Sequence, residues 1–462
     1  MARILLLALF FSFPVPAGAS PAEWIGVSGA SGELVPESVF GGNVMLYRAG
    51  RRDGPTVVLI HGLGQNGARD WGRLIQALAE RYDVFALDLP GFGESDKGNH
   101  LYSPANYARV IEAVVAPRVT RPFVLIGHSM GGAVSLAYAA TYPHRVGRLV
   151  LVDMAGVLHR SVYAEYLSRL GAQLAIGVYP QGAPWFDSFV RTVLTRVESI
   201  PLSSELVLGV PGMRQRMLRG DANAIAAYAL VEHDFGQALR DVRAPTLVIW
   251  GSEDRVAPLR TGQMAAALIP GARLAVIEGS DHTPMLSATA RFNALILDEL
   301  EGRLTLAPYA LPKAAAQGDR VGRCSGQAGQ RFSGDYRELR LEQCSDVRIT
   351  NARIGSLLAL QSTVRIVNSE IREWTDAKHS QLEFTAGSVR GANGNPALAL
   401  TATSVDAAGT RFEADGAIFE NRGAVPVTLS LSVSAVARTS AARRLVHAVF
   451  PLAPYKNWSG EK

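Results

Sequence analysis

Ser129 stands in the stretch Gly127-His-Ser-Met-Gly131, and its surroundings are those of a serine that could act as a nucleophile in acyl transfer. The apolar run Phe123 to Ile126 precedes it and helix-forming residues follow through Tyr142, a pattern that predicts strand, sharp turn and helix. So tight a turn forces the serine backbone into a strained conformation. The positions two before and two after must then be small, and both are glycine. The hydroxyl projects over the end of the sheet, where the free N–H groups and positive dipole end of the helix point at the same spot. An alcohol is a weak nucleophile at neutral pH, so it needs a base, a group to orient the base, and donors for the oxyanion. Further along, the chain offers Asp153, then Asp254 in Gly251-Ser-Glu-Asp-Arg-Val-Ala-Pro258, then His282 in Asp281-His-Thr-Pro284.

Each of these residues follows an apolar run of strand length. Thr56 to Ile60 leads into His61-Gly-Leu-Gly64, Val84 to Leu87 into Asp88-Leu-Pro-Gly-Phe-Gly-Glu-Ser95, and Leu149 to Val152 into Asp153. Thr246 to Trp250 precedes the Asp254 segment and Leu274 to Ile277 the His282 segment. Runs that are apolar throughout suit strands covered on both faces. Between them lie helical stretches: Ala68 to Arg81, with Trp71, Leu74, Ile75, Leu78 and Ala79 on one face, Tyr102 to Val119, and Ala288 to Leu300. This alternation predicts an α/β fold with a mostly parallel sheet, in which ligands bind at the carboxyl ends of the strands. Trp24 to Gly50 reads as irregular or short β structure. From Ala155 to Arg240 the alternation stops, and a helix-prone stretch carries Tyr163, Tyr166, Tyr179, Trp185, Phe186 and Phe189. We read it as a helical lid whose aromatics either line an apolar acyl or aryl pocket or pack the lid on the body.

The segments HGLG at His61, DLPGFGES at Asp88, GHSMGG at Gly127, GSEDRVAP at Gly251 and DHTP at Asp281 together resemble the α/β-hydrolase superfamily, in its lidded, esterase-like branch. The resemblance runs from Thr56 to about Leu300 and implies roles by position. Ser129 would be the nucleophile, His282 the general base and Asp254 the carboxylate that orients it, with the backbone N–H groups of Leu63 and Met130 as the oxyanion hole. Asp153 is the alternative acid, since some members take theirs from that strand end. His61 and His128 would be supporting residues, and Glu253 and Asp281 solvated neighbours. A serine at position 129 argues against the dehalogenases of this fold. No cofactor motif is visible and the histidines lack zinc-ligand spacing, so no cofactor or metal is expected. The implied activity is hydrolysis of a carboxylic ester in a small or lipid-like acyl substrate. The alternatives are an amide, lactone or carbon–carbon bond, or an envelope- or glycan-binding protein with a vestigial hydrolase region.

At 462 residues and 48% hydrophobic content the chain has room for two or three domains. We expect a signal peptide over 1–19, an α/β-hydrolase domain over 20–302 with the lid at about 155–240, a linker over 303–323 and an all-β domain over 324–462. The first segment has Arg3, an apolar run from Ile4 to Phe13 and Ala17-Gly-Ala19, the layout of a secretory signal, which places the protein in the periplasm or outside the cell. No later stretch is long and apolar enough to be a transmembrane helix. The two cysteines, Cys324 and Cys344, are a candidate disulfide in an exported protein.

Charge is uneven: residues 1–302 hold 26 basic and 27 acidic side chains, residues 303–462 hold 20 and 14. The C-terminal excess is scattered and without interleaved aromatics, which speaks against nucleic acid and for a solvated surface or contact with an anionic envelope or polysaccharide. That part repeats a short pattern beginning at Ile349, Ile366, Phe384 and Leu400, an alternating strand, a small-residue turn and another apolar position. Near-regular units of this kind predict a solenoid, resembling a right-handed parallel β-helix, with a β-sandwich as the alternative. The Cys324 to Cys344 segment would tie down the first rung and Ala441 to Phe450 cap the last. Asp376, Asp406 and Asp415 read as turn residues.

Overall fold

The computed structural model describes residues 20–159, 211–310, 319–438 and 443–460. The signal segment and the lid aromatics Tyr163, Tyr166, Tyr179, Trp185, Phe186 and Phe189 lie outside the described residues. Of the expected lid, Ala155 to His159 and three helices, Pro211–Leu218, Ala222–Glu232 and Gly236–Asp241, are described. Among the described residues no helix is long and apolar enough to cross a membrane.

Eight strands form the N-terminal sheet: β1 (Ser31–Pro36), β2 (Asn43–Gly50), β3 (Thr56–Ile60), β4 (Asp83–Leu87), β5 (Phe123–His128), β6 (Val146–Val152), β7 (Thr246–Gly251) and β8 (Arg273–Ile277). Their order is β1-β2-β4-β3-β5-β6-β7-β8. β1 and β2 pair antiparallel, as does β2 with β4, and every later neighbour is parallel. The stretch before Gly50 thus supplies two ordered strands. The uninterrupted apolar runs have the predicted cause: all of β7 and four residues of β3 are buried, because helices cover both faces. One apolar layer holds Tyr107, Ile111, Val134 and Tyr138, and the other holds Trp71, Leu74, Phe292 and Ile296. The helical stretch expected over Ala68 to Arg81 divides into a 3₁₀ turn, Gly67–Trp71, and a helix, Gly72–Leu78. At the junction the backbone passes so close to Ile25 that a Cβ on Gly72 would stand 2.3 Å from its carbonyl oxygen.

Ser129 joins β5 to the helix Met130–Thr141 at φ 52° and ψ −119°. This is a backbone conformation that costs a non-glycine residue about 1–3 kcal/mol. The surroundings hold it there: its N–H donates to Val152 O (2.9 Å), and its carbonyl accepts from Ala133 N–H (3.2 Å) and Ala155 N–H (3.3 Å). The small residues either side are required by close backbone approach. A Cβ on Gly127 would lie 2.2 Å from Gly131 O, and one on Gly131 2.3 Å from Ile60 O. The helix therefore sits directly on the end of β3.

The C-terminal part is a fourteen-stranded sheet built mainly from parallel pairs. The register follows the repeat: Ile349 opposes Ile366, Ile366 opposes Phe384, Phe384 opposes Ala407 and Ala407 opposes Leu431. The first three repeats stack as expected, but the unit at Leu400 does not continue the column. Leu400 lies opposite Ala377, in a different strand column. The cause is an extra turn at Asn393 and Gly394, both at positive φ, which pushes the next matching strand to Ser404–Ala408. The turn column is Asn351, Asn368, Ala386 and Gly409, all in the left-handed region. Asn368 Nδ2 donates to Asn351 Oδ1 across it (2.8 Å). Parallel pairing sets this domain apart from an antiparallel sandwich.

The end strand Val321–Ser325 begins inside the stretch expected to be linker, and Cys324 bonds to Cys344 beside it. At the other end Arg444–Leu452 pairs antiparallel with the last long strand, Val427–Arg438. Asp376 and Asp406 lie within strands rather than turns. Asp406 accepts from Arg260 Nη2 (3.1 Å), whose guanidinium also donates to Phe384 O (3.2 Å). Arg260 belongs to the helix Leu259–Leu268 behind β7, and Gly409 is packed against Met264 of that helix. His159, just past β6, donates its N–H to Ser432 Oγ (3.0 Å). The C-terminal sheet thus packs against the helix that follows the Asp254 loop and against the segment after β6.

Two outcomes follow. Gly131→Ala should abolish any chemistry at Ser129 and lower the thermal midpoint, because the intruding Cβ meets backbone that no side-chain rotation can clear; unchanged melting and activity would contradict the turn described. Replacing both cysteines by serine should destabilise the C-terminal part by about 3 kcal/mol in urea unfolding, the loop-closure value for a bridge spanning 20 residues. An unaltered urea midpoint would mean that the bridge constrains nothing.

Candidate active site

Four strand ends converge at the carboxyl edge of the sheet, next to the point where the order reverses around β3. Ser129 follows β5, Asp153 follows β6, Asp254 lies past β7 and His282 past β8. His282 Nε2 stands 2.9 Å from Ser129 Oγ, and His282 Nδ1 stands 2.7 Å from Asp254 Oδ2. With Nδ1–H donating to the carboxylate, Nε2 presents its lone pair to the serine hydroxyl, the tautomer that proton abstraction needs. Asp254 is itself fixed: Oδ1 accepts from Val256 N–H (2.7 Å) and Ala257 N–H (2.9 Å), and its side chain is fully buried. His282 keeps 15% of its side chain exposed, so its ring is not sealed in the core.

The structure brings Ser129, Asp254 and His282 together and leaves Asp153 one step away. Asp153 is wholly buried, at φ 43°, and its Oδ1 accepts from Gly251 N–H (2.8 Å). It therefore holds the end of β7 and makes no hydrogen bond to the imidazole. One ligating atom from each of Asp153, Asp254 and His282 falls within 4.8 Å of the other two. A cation could bridge that spacing, but the 2.7 Å contact of His282 with Asp254 is the length of a proton-bearing hydrogen bond. Glu253 is exposed. Asp281 is exposed too, yet it ties the turn that carries His282, accepting from Thr283 N–H (2.8 Å) and Oγ1–H (3.0 Å). Partial burial works against its charge, and the Thr283 hydrogen bonds outweigh it, so its carboxyl lies below the usual range.

The two motif histidines are structural. His128 donates from Nε2 to the carbonyl of His282 (2.7 Å), and burial drives its imidazole down to about 3, so it stays neutral and anchors the backbone of the base. His61 accepts from Leu89 N–H at Nε2 (2.9 Å) and donates from Nδ1 to Gly62 O (2.6 Å); burial lowers it as well. Together these bonds clamp the turn after β3 beside the serine, where a Cβ on Gly62 would stand 3.0 Å from Ser129 Cβ. Leu63 is the next residue of that turn. Met130 opens its helix, so its N–H has no intrahelical acceptor. Both candidate oxyanion donors therefore belong to backbone lying against Ser129.

Two positioning residues had no role in the sequence reading. Asp88, at the end of β4, accepts from Ala68 N–H (2.6 Å), Glu94 N–H (2.8 Å) and Tyr47 Oη (3.1 Å). Gly67 and Gly93 pass so close that a Cβ on either would lie within 2.2 Å of its carboxyl group. Burial outweighs the hydrogen bonds and raises Asp88 to about 6. The pairing of an acid at a strand end with glycines just beyond was the available signal. Asn223, on the helix Ala222–Glu232, accepts from Gly64 N–H (3.0 Å) and ties the turn after β3 to the region of the lid. Nothing local in the sequence marks it.

Comparison with known proteins bears on the family of this region. Residues 55–289 match the family described as alpha/beta hydrolase fold. An uncharacterised protein of Mycobacterium tuberculosis is 32% identical over 260 residues, spanning 52% of this chain and 73% of that protein. A 2-hydroxy-6-oxononadienedioate/2-hydroxy-6-oxononatrienedioate hydrolase of Cupriavidus pinatubonensis is 32% identical over 254 residues, 53% of this chain and 86% of the relative. Among solved structures, a bacterial membrane phospholipase A aligns with a TM-score of 0.45 at 27% identity, covering 61% of this chain and 88% of that one. With the family match covering half the sequence and the relatives aligned over most of their own length, the chain belongs to the α/β hydrolase fold family.

Proposed function

We propose that this hydrolase cleaves a carboxylic ester through an acyl-enzyme on Ser129. The observation that carries the reading is the hydrogen-bonded chain from Ser129 Oγ to His282 Nε2 and from His282 Nδ1 to Asp254, with both hydrogen bonds at or below 2.9 Å. His282 takes the hydroxyl proton as Ser129 Oγ attacks the carbonyl carbon. Asp254 holds the imidazole in place and stabilises the imidazolium. The N–H groups of Leu63 and Met130 stabilise the oxyanion, each such donor being worth about 100-fold or more in turnover. His282 returns its proton to the leaving alcohol. It then activates a water that releases the acid and restores the serine.

A second reading stays within the same machinery. Relatives such as the Cupriavidus protein are named as hydrolases of oxo-dienedioates, which favours a carbon–carbon bond next to a ketone as the scissile one. There the base must also deliver a proton to carbon. A vestigial site is the least supported reading, since its polar groups would have no reason to keep this geometry. We further read the mature protein as exported and the C-terminal part as a right-handed parallel β-helix. The register steps of 17, 18, 23 and 24 residues between paired positions support a coiled path. Contact of that basic part with an anionic envelope or polysaccharide belongs to the same proposal.

A fluorophosphonate probe should label the purified full chain, and Ser129→Ala should remove the label while the fold persists; labelling that survives the substitution would refute the nucleophile. Across a panel of short and long acyl esters, a lactone, an anilide and a vinylogous diketone, esters should turn over fastest. Ser129→Ala should cost at least about 10⁴-fold on whichever is cleaved. Preference for the diketone would instead establish the carbon–carbon reading.

A further inference from the structure

Asp153 and Asp254 are two carboxyl groups in one dry site, and their partners differ. Asp254 accepts three N–H groups: those of Val256 and Ala257 on Oδ1 and that of His282 on Oδ2. Asp153 accepts one, from Gly251 on Oδ1. Its Oδ2 is buried and has no hydrogen-bond partner among the described residues, although Asp153 is wholly buried and its carboxyl lies within 4.8 Å of both Asp254 and His282. A bare carboxylate oxygen in that position would be desolvated and unpaired beside a second negative charge. A carboxylic acid there has a use for the orphan oxygen, as an O–H donor toward Asp254.

We propose that Asp153 is the positioning residue of the Asp254 carboxylate, its carboxyl group carrying the one proton that the two buried acids share. The inference rests on the reading of Asp254 and His282 given above and deepens it. Burial first, then the charge of Asp254, holds the Asp153 carboxyl well above its ordinary range, against the single hydrogen bond from Gly251. The titratable groups facing it are Asp254, His282 and Asp281, so two of the three are acids and repel a second charge. The consequence is one net negative charge in the pair, which matches the single positive charge that His282 acquires during turnover. The strained backbone is consistent with a constrained role: Asp153 holds φ 43°, a region that aspartate and asparagine tolerate better than other side chains.

Asparagine is therefore the diagnostic substitution, since it fits the backbone, stays neutral and can still donate a hydrogen bond. In the full-length protein Asp153→Leu, which fills the space but removes the O–H donor, should lower kcat for the best ester by about 10-fold, and Asp153→Asn should recover most of that loss, while Asp254→Asn should lose about 10⁴-fold in kcat. The carboxyl group is read directly by infrared difference spectroscopy. Wild type minus Asp153→Asn at neutral pH should show the carbonyl stretch of a neutral buried acid. In wild-type protein carrying ¹³C-labelled aspartate, that band should persist to mildly alkaline pH, a measurement that needs no variant. A loss in Asp153→Asn as large as in Asp254→Asn, or a carboxylate band in place of the acid band, would overturn the proposal. Failure of the functional reading looks different: neither ester turnover nor labelling of Ser129 in the wild type, with the infrared band still reporting the protonation of Asp153.

Discussion

The backbone of Ser129 is the constraint on which the rest of the site depends. A positive φ at a serine is held only because Val152, Ala133 and Ala155 all bond to that one residue, and because glycine on either side lets the helix Met130–Thr141 rest on the end of β3. The same contact that permits the turn brings the β3 turn, with Leu63, against the serine. Ser129 and the backbone N–H groups of Leu63 and Met130 are therefore brought together by one packing arrangement. The histidine arrives from β8 on a turn whose carbonyl is held by His128, the residue immediately before the serine. His128 thus links the His282 turn to Ser129 through the backbone, and its burial as a neutral ring keeps a competing positive charge out of the site.

Much of this was legible in the sequence because backbone geometry at strand ends demands particular residue types at fixed spacing. Gly127, Gly131, Asp254 and His282 are visible for that reason, and so is the alternation that builds the parallel sheet. What was not legible depends on contacts between distant segments. Asn223 reaches Gly64 across 159 residues, and Asp88 gathers donors from Tyr47, Ala68 and Glu94. Asp153 and Asp254 are each an acid past an apolar strand, and in sequence only the GSEDRVAP context favours Asp254. In the structure the contact with His282 Nδ1 falls to Asp254, while Asp153 accepts from Gly251 N–H.

The C-terminal part shows the same division. Its alternating strands and small turn residues announce a repeat, and Asn351, Asn368 and Ala386 do occupy equivalent left-handed positions. The fourth unit slips because the turn at Asn393 and Gly394 lengthens the path, so Gly409 rather than the turn of the Leu400 unit continues the column. Asp406, which reads as a turn residue, instead meets Arg260 on the helix that follows the Asp254 loop. That ion pair, with Met264 against Gly409 and His159 on Ser432, makes the second sheet a neighbour of the site. Such a surface is invisible to periodicity, since it is made by the outward residues of a strand that would serve equally well facing water.

Covalent acylation of Ser129 during turnover is the step on which the proposed chemistry turns. Quenching the full-length protein in acid within its first turnovers of an ester, then weighing the peptide that contains Ser129, tests it directly. The expected result is a mass increase equal to the acyl group, confined to that peptide and absent from Ser129→Ala. Sustained hydrolysis with no adduct on Ser129, or with the acyl group on another residue, would contradict it.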